Sequence, residues 1–342
     1  MLRHYSGAPA SYCEVVRTIR VALLSLALAL VLAGATIDTA TSATRPPTTG
    51  VVLIKTNLAL QNARAAGTGI VLTRNGEVIT NNHVIRGATT INVIVPASKR
   101  TYTASVLGYD ITNDIALLKL QSATNLATVR RGNSATIKIG QRARAVGNAN
   151  GGGKLVTTTG RITGRNRTIS VQDESGDVTQ LKGLIETSAR LVPGDSGGPL
   201  LDAAGRVIGI DAAGSPSFGF DASAPGYAIP INRAWGIAKQ VEAQEPSETV
   251  HIGPTAFIGL NVARDPQGIA VGSVFPNSPA ATAGIEAGDV ITALDGKPVS
   301  TFSDLRTLLL TKHPGDTVTV GYTDTTGGQT SVSVVLASGP PQ

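Results

Sequence analysis

The feature that most constrains this chain is a succession of short apolar, β-branched segments separated by turn residues, from Val51 to about Ile231. GVVLIK (50–55), TGIVLT (68–73), INVIV (91–95), IALLKL (115–120) and RVIGI (206–210) each have the length and composition of a strand. Asn75-Gly76 stands between TGIVLTR and EVITN, and that dipeptide favours the tight turn of a hairpin. No long amphipathic helix interrupts the stretch. Ile231, Trp235, Ala238 and Val241 recur at helical spacing and predict one short helix over about 232–244. Residues 51–244 are therefore predicted to form a β-barrel or sandwich closed by a helix. The 39 glycines and 18 prolines supply its turns. TSATRPPTTG (41–50) reads as a linker before it, and the polar stretch 245–254 as a linker after it. Residues 255–338 form a second, smaller α+β unit, with strands in FIGLNV, AVGSVF, VITAL, TVTVGY and SVSVVL and a helix over 303–312.

Composition removes several functions. Aromatic residues are 4% of the chain, too few for base stacking, and the net charge of +6 comes from scattered rather than clustered Lys and Arg. Nucleic acid is not an expected partner. Cys13 is the one cysteine, so neither an internal disulfide nor a Cys-rich zinc site can form, and core packing must hold the fold. No metal-ligand cluster is visible, so no cofactor is expected and chelators should not inhibit.

The first 40 residues read as a targeting segment. Arg3, Arg17 and Arg20 precede the uncharged run Val21–Ala35, which ends in Ala33-Gly34-Ala35, a small-residue pattern of a cleavage site. Two outcomes stay open: a cleaved signal peptide, or a retained membrane anchor through residues 21–37. Either exports the rest of the chain to the cell envelope or beyond.

The chemistry concentrates in Gly194-Asp195-Ser196-Gly197-Gly198-Pro199. A serine hydroxyl is a poor nucleophile at neutral pH and needs an adjacent base. Of the four histidines, His4 lies in the leader, His251 in the second linker and His313 in a turn. His83, directly after the strand ending at Thr80, is the one placed to act as base. A base needs an acid to fix its tautomer. Asp114 stands at the start of the apolar strand IALLKL, with Asp110 as a rival four residues earlier. Gly194 permits a sharp bend that can turn the N–H groups of Gly194 and Ser196 toward one developing oxyanion. The Gly-x-Ser-x-Gly spacing also fits the nucleophile elbow of α/β-hydrolases. Pro199 opposes the helix that elbow needs, and no suitable histidine follows the serine.

TNNHV, NDIALLKL and PGDSGGPL, in that order, resemble the chymotrypsin-like serine proteases of the HtrA/Deg group, and the last 85 or so residues resemble a PDZ domain. The resemblance implies a mainly β protein: two six-stranded β-barrels over 51–244, with the active site between them, then a small α+β PDZ domain over 255–338. It implies His83 as general base, Asp114 as orienting acid, Ser196 as nucleophile, and Gly194 with Ser196 as oxyanion hole. Arg190, Leu191 and Asp211 are candidates for the specificity pocket, with Leu191 as a wall. Phe257, Ile258, Gly259 and Leu260 would hold a peptide C-terminus, with Leu305 and Leu309 walling the groove; the same leucines also read as core residues. A homotrimer is a further expectation of the resemblance, although residues 41–60 contain no aromatic of the kind such trimers use. Asp195 departs from the group, which commonly has Asn there. No free Ile-Val-Gly-Gly start is present to pair with it, so it must find another donor.

The expected function is an exported serine endopeptidase, a hydrolase of unfolded or exposed protein segments that serves protein quality control. The alternative is a peptide-binding or chaperone module whose protease site is latent. An esterase on the same barrels is a third reading. Because a protonated imidazole cannot accept the serine proton, activity is expected to fall at acid pH.

Overall fold

A computed structural model of the chain describes residues 45–172, 178–212 and 225–342. The segment read as signal or anchor, residues 1–40, lies outside the described residues. Among the described residues no helix is long and apolar enough to cross a membrane.

The first barrel is built from β1 (Val51–Leu58), β2 (Ala63–Val71), β3 (Glu77–Thr80), β4 (Thr90–Val95), β5 (Arg100–Asp110) and β6 (Ile115–Leu120), with the one-turn helix α1 (Asn82–Ile85) after β3. The strands run in the order β5-β4-β1-β2-β3-β6, and β6 pairs back onto β5, which closes the barrel. The unbroken apolar run Val51–Ile54 follows from burial on both faces. Val52 and Ile54 point into the barrel with Val71, Val78 and Leu118. Val51 packs in a different cluster, with Ile70, Ile79, Ile115 and Leu117 and with Val146, Leu201 and Val207 of the second barrel. That shared cluster joins the two barrels.

The second barrel comprises β7 (Arg142–Gly147), β8 (Val156–Gln172), β9 (Val178–Thr187), β10 (Pro199–Leu201), β11 (Val207–Ala212) and β12 (Gly226–Pro230), closed in the order β10-β11-β12-β9-β8-β7. Ala145, Ile162, Ile185, Leu200 and Ala228 fill it. Helix α2 (Ile231–Glu242) follows and buries Ile231, Ala234, Ile237, Ala238 and Val241. Ile231, Ala238 and Val241 of the predicted stripe are among them, and Ala234 and Ile237 widen it. Trp235 lies at its rim, where the Arg131 guanidinium sits 5.0 Å from the ring centroid, a position that lets the large ring keep one face toward a cation.

The predicted linker 245–254 is corrected by the structure. It contains β13 (Val250–Ile252), which extends the first barrel's sheet by pairing antiparallel to β5, with Val250 opposite Asp110 and His251 opposite Tyr109. The alternation Val-His-Ile supplies the reason: a strand edge was open at β5, and Val250 and His251 are buried by closing it.

In the remaining module, β14 (Thr255–Phe257) pairs with residues 337–339. β15 (Leu260–Asp265) and β16 (Gly268–Val274) begin a sheet that continues through residues 290–294, 317–323 and 329–335, and β15 forms its edge. The one-turn α3 (Pro279–Thr282) and α4 (Phe302–Leu310) pack on it. Thr301 and Asp304 form a reciprocal capping box at α4, with Asp304 N donating to Thr301 Oγ1 at 3.1 Å and Thr301 N to Asp304 Oδ2 at 2.8 Å. Such a cap stabilises by about 1 kcal/mol and fixes the helix start one residue before the predicted one. The core holds Ile258, Ile269, Ile291, Leu305, Leu309 and Val320. This module touches the first barrel directly. Tyr109 Oη lies 3.0 Å from Thr255 Oγ1, and Gly87 N donates to Pro341 O at 2.8 Å. Asn82 Nδ2 donates to Gln342 O at 2.9 Å, one residue before His83.

Candidate active site

The strand register explains why His83 and Asp114 meet. β3 runs antiparallel to β6 with Thr80 opposite Ala116, so the residues leaving β3 face those entering β6. His83 N donates to Asp114 Oδ1 at 2.9 Å, and His83 Nδ1 lies 2.8 Å from Asp114 Oδ2. An ionised carboxylate only accepts, so Nδ1 carries the proton and Nε2 presents its lone pair. Asp114 adopts φ +53°, and Asn81 Nδ2 donates to its carbonyl at 2.9 Å, which holds the acid in this turn. Its side chain is 10% exposed against 42% for His83, so the acid is sheltered and the base is reachable. The rival Asp110 is committed elsewhere. Its carboxylate accepts from Asn113 N and Nδ2, both at 2.8 Å, and from Thr249 Oγ1 at 3.0 Å.

Ser196 comes from the second barrel, just before β10. Thr68 N, on β2, donates to Ser196 O at 2.8 Å, and Thr80 Oγ1 donates to Thr68 O at 2.7 Å. The Ser196 backbone is thus tied to β2, which pairs with the strand that ends three residues before His83. The approach is close: a Cβ on Gly197, at φ +83°, would lie 2.0 Å from Thr68 O. At Gly194, φ is +91° and a Cβ would fall 2.2 Å from Asn148 O, so only glycine fits this bend. The carbonyl of Pro193 accepts from Asn150 N at 2.6 Å, and the carbonyl of Asp195 accepts from Gly198 N at 2.9 Å. Both peptides are trans. The N–H groups of Gly194 and Ser196 therefore point away from those anchors.

Beneath the loop lie two acids. Asp195 accepts from Val192 N at 2.9 Å. Burial pushes the Asp195 carboxyl up to about 6, partly offset by that hydrogen bond. Asp211 is fully buried on β11, and neither carboxylate oxygen has a hydrogen-bond partner among the described residues. Burial, and then the nearby Asp195 charge, raise its pKa well above the usual carboxylate range. Its backbone holds the loop, accepting from Gly197 N at 2.8 Å and donating to Gly198 O at 2.7 Å. The Asp211 side chain is therefore enclosed in the protein interior. Arg190 is exposed, while Leu191 packs partly against the second barrel's core.

In the second module, Phe257, Ile258, Gly259 and Leu260 form the turn between β14 and the edge strand β15. Ile258 O accepts from Ala280 N at 2.9 Å and Gly259 O from Phe275 N at 3.0 Å, so these carbonyls face α3 and β16. Leu305 and Leu309 are 5% and 6% exposed, which assigns them mainly to the module core. Sequence reasoning passed over Thr68, Thr80 and Asn148, all fully buried polar residues at the barrel junction. The signal that could have found them is a threonine flanked by glycines in an otherwise apolar strand.

Residues 67–210 match the trypsin-like peptidase domain and residues 256–332 the PDZ domain. The chain is similar to serine protease PepD of Mycobacterium tuberculosis (strain ATCC 25618 / H37Rv), 31% identical over 300 residues, covering 84% of this chain and 63% of that protein. Periplasmic serine endoprotease DegP of Escherichia coli (strain K12) is 33% identical over 272 residues, covering 76% of this chain and 55% of the relative. Protease Do-like 1, chloroplastic, of Arabidopsis thaliana is 34% identical over 283 residues, with 76% and 61% covered. Among solved structures, the HtrA-type protease AlgW with decapeptide aligns at 25% identity over 86% of this chain and 96% of that one, with a TM-score of 0.48. The chain thus spans between 55% and 63% of the length of these three curated relatives. With a trypsin-like peptidase domain ahead of a PDZ domain, and with these serine proteases as relatives, the chain belongs to the HtrA/Deg group.

Proposed function

We propose that this chain is an exported serine endopeptidase that cleaves exposed segments of unfolded polypeptides, with His83, Asp114 and Ser196 as its triad. The observation that carries the reading is the two-point hold of His83 by Asp114, at 2.9 Å and 2.8 Å. It leaves Nε2 as the proton acceptor. Ser196 Oγ attacks the scissile carbonyl as its proton passes to His83 Nε2. The oxyanion that forms takes the N–H groups of Gly194 and Ser196. His83 then returns the proton to the leaving amine, the acyl-enzyme remains on Ser196, and water releases it by the same route in reverse. Asp114 stays ionised and stabilises the imidazolium.

The anchored Pro193 carbonyl favours this reading over a latent site, because a reversed Pro193–Gly194 peptide would give up the Asn150 donor and aim a carbonyl where the oxyanion forms. The edge strand β15 and the turn 257–260 support binding of an extended peptide C-terminus as an added strand. The apolar run of the leader, and the word periplasmic in the name of the relative DegP, support export.

Casein hydrolysis by the wild-type chain and by Ser196→Ala tests the reading. The wild type should degrade casein and react with a fluorophosphonate at Ser196, and the variant should do neither. Equal rates in the two proteins would reject it. Binding of casein without cleavage or labelling would favour the chaperone reading.

A further inference from the structure

We infer that Thr68 is the positioning residue that holds the oxyanion-forming loop in its competent shape, and that its hydroxyl is the group responsible. The inference rests on the serine-peptidase reading above and assigns a role outside the triad.

Thr68 stands on β2 of the first barrel and is fully buried, yet its hydroxyl and its N–H are both spent on the junction with the second barrel. Its hydroxyl donates to Gly194 O at 2.6 Å and accepts from Asn148 N at 2.9 Å. Its N–H donates to Ser196 O at 2.8 Å, and its carbonyl accepts from Thr80 Oγ1 at 2.7 Å. One side chain and one backbone unit therefore grip the carbonyls of both residues whose N–H groups form the proposed oxyanion hole.

The grip extends further through Asn148. Asn148 is also fully buried, and its carbonyl and side chain shape the following turn by accepting from Gly151 N and Gly153 N, both at 2.8 Å. That turn presents Asn150 N, which holds Pro193 O. The Thr68 hydroxyl thus joins the two peptides flanking Gly194, one directly and one through the 148–150 turn. A hydroxyl is the smallest group that can donate to one partner and accept from the other at once. Valine has the same shape and can do neither. Without the hydroxyl, Gly194 O and Asn148 N would be buried without partners, and the loop would turn to satisfy them elsewhere.

Displacement of the oxyanion donors by about 1 Å costs on the order of 10²-fold in rate. The test compares full-length wild type, Thr68→Val and Thr68→Ser for kcat and KM on a chromogenic peptide and for the rate of fluorophosphonate labelling, each normalised to folded protein by near-ultraviolet circular dichroism. Thr68→Val should lose about 10²-fold in kcat and in labelling rate with KM nearly unchanged, and Thr68→Ser should restore most of both. A merely structural role would lower melting temperature without slowing the folded fraction. Wild-type rates in Thr68→Val would overturn the inference, as would equal losses in Val and Ser or a loss confined to KM. If Thr68→Val does not fold, Thr68→Ala against Thr68→Ser repeats the comparison, since both lack the methyl group and differ in the hydroxyl. Equal rates in that pair would likewise overturn it. Absence of hydrolysis and labelling in the wild type itself would refute the peptidase reading instead.

Discussion

Asp114 of the first barrel and Asp211 of the second are both buried aspartates beside the same cleft, but their surroundings are opposite. The Asp114 carboxylate receives the backbone N–H and the ring Nδ1 of His83. The Asp211 carboxyl receives no donor among the described residues and faces the charge of Asp195. Low dielectric and a like charge push Asp211 toward the neutral acid. The two therefore serve different ends. The Asp114 side chain holds His83 at two points. Asp211 acts through its backbone, which clamps Gly197 and Gly198.

Substitutions can sharpen or break this contrast. Asp114→Asn should cause the largest change, roughly a 10⁴-fold fall in kcat, because the amide stabilises the wrong tautomer and no imidazolium. Steady-state kinetics on a chromogenic peptide checks it, and a fall of less than tenfold would remove Asp114 from the mechanism. Gly194→Ala should cost about 10²–10³-fold in kcat, because its Cβ would strike Asn148 O and the N–H would rotate away from the oxyanion.

The third effect is on stability. With folded pKa values raised above the ordinary 3.8, to about 6 for Asp195 and well upward for Asp211, the pair favours folding at acid pH. That contribution is complete below about pH 4 and is lost as pH rises through 6 and beyond. Asp211→Asn should therefore match the wild type in denaturant unfolding at pH 4 and exceed it by about 1–3 kcal/mol at pH 8. A constant difference at both pH values would break the contrast. The smallest effect belongs to the rival acid. Asp110→Ala should cost about 1–2 kcal/mol of stability through lost bonds to Asn113 and Thr249, and far less rate than Asp114→Asn.

Most of the site was legible because its chemistry is carried by short motifs on strand ends. Val-Ile-Thr before Asn-Asn-His, and Asn-Asp before Ile-Ala-Leu-Leu, put His83 and Asp114 at the mouths of apolar strands, and antiparallel pairing of those strands brings them together. The choice between Asp110 and Asp114 was left open by the residues alone and was made for Asp114 by the resemblance of NDIALLKL. It depends on a left-handed turn at Asp114 and on the Asn113 contacts that occupy Asp110. The linker over 245–254 was misread because three residues are too short to register as a strand until the open edge of β5 is known. Trp235, on the predicted stripe, packs against the core only in part, because Ala234 and Ile237 take the buried positions beside it. Thr68 escaped notice because its flanking glycines mark a close approach but not its partners, which lie 80 and 126 residues away.

The account turns on which ring nitrogen of His83 holds the proton. Nitrogen-15 NMR of the histidine-labelled chain at alkaline pH reads this directly, with His83→Gln identifying the resonance. The proton should reside on Nδ1, with the downfield shift of a strong hydrogen bond that disappears in Asp114→Asn. A neutral ring protonated on Nε2 in the wild type would contradict the assignment of His83 as the base for Ser196.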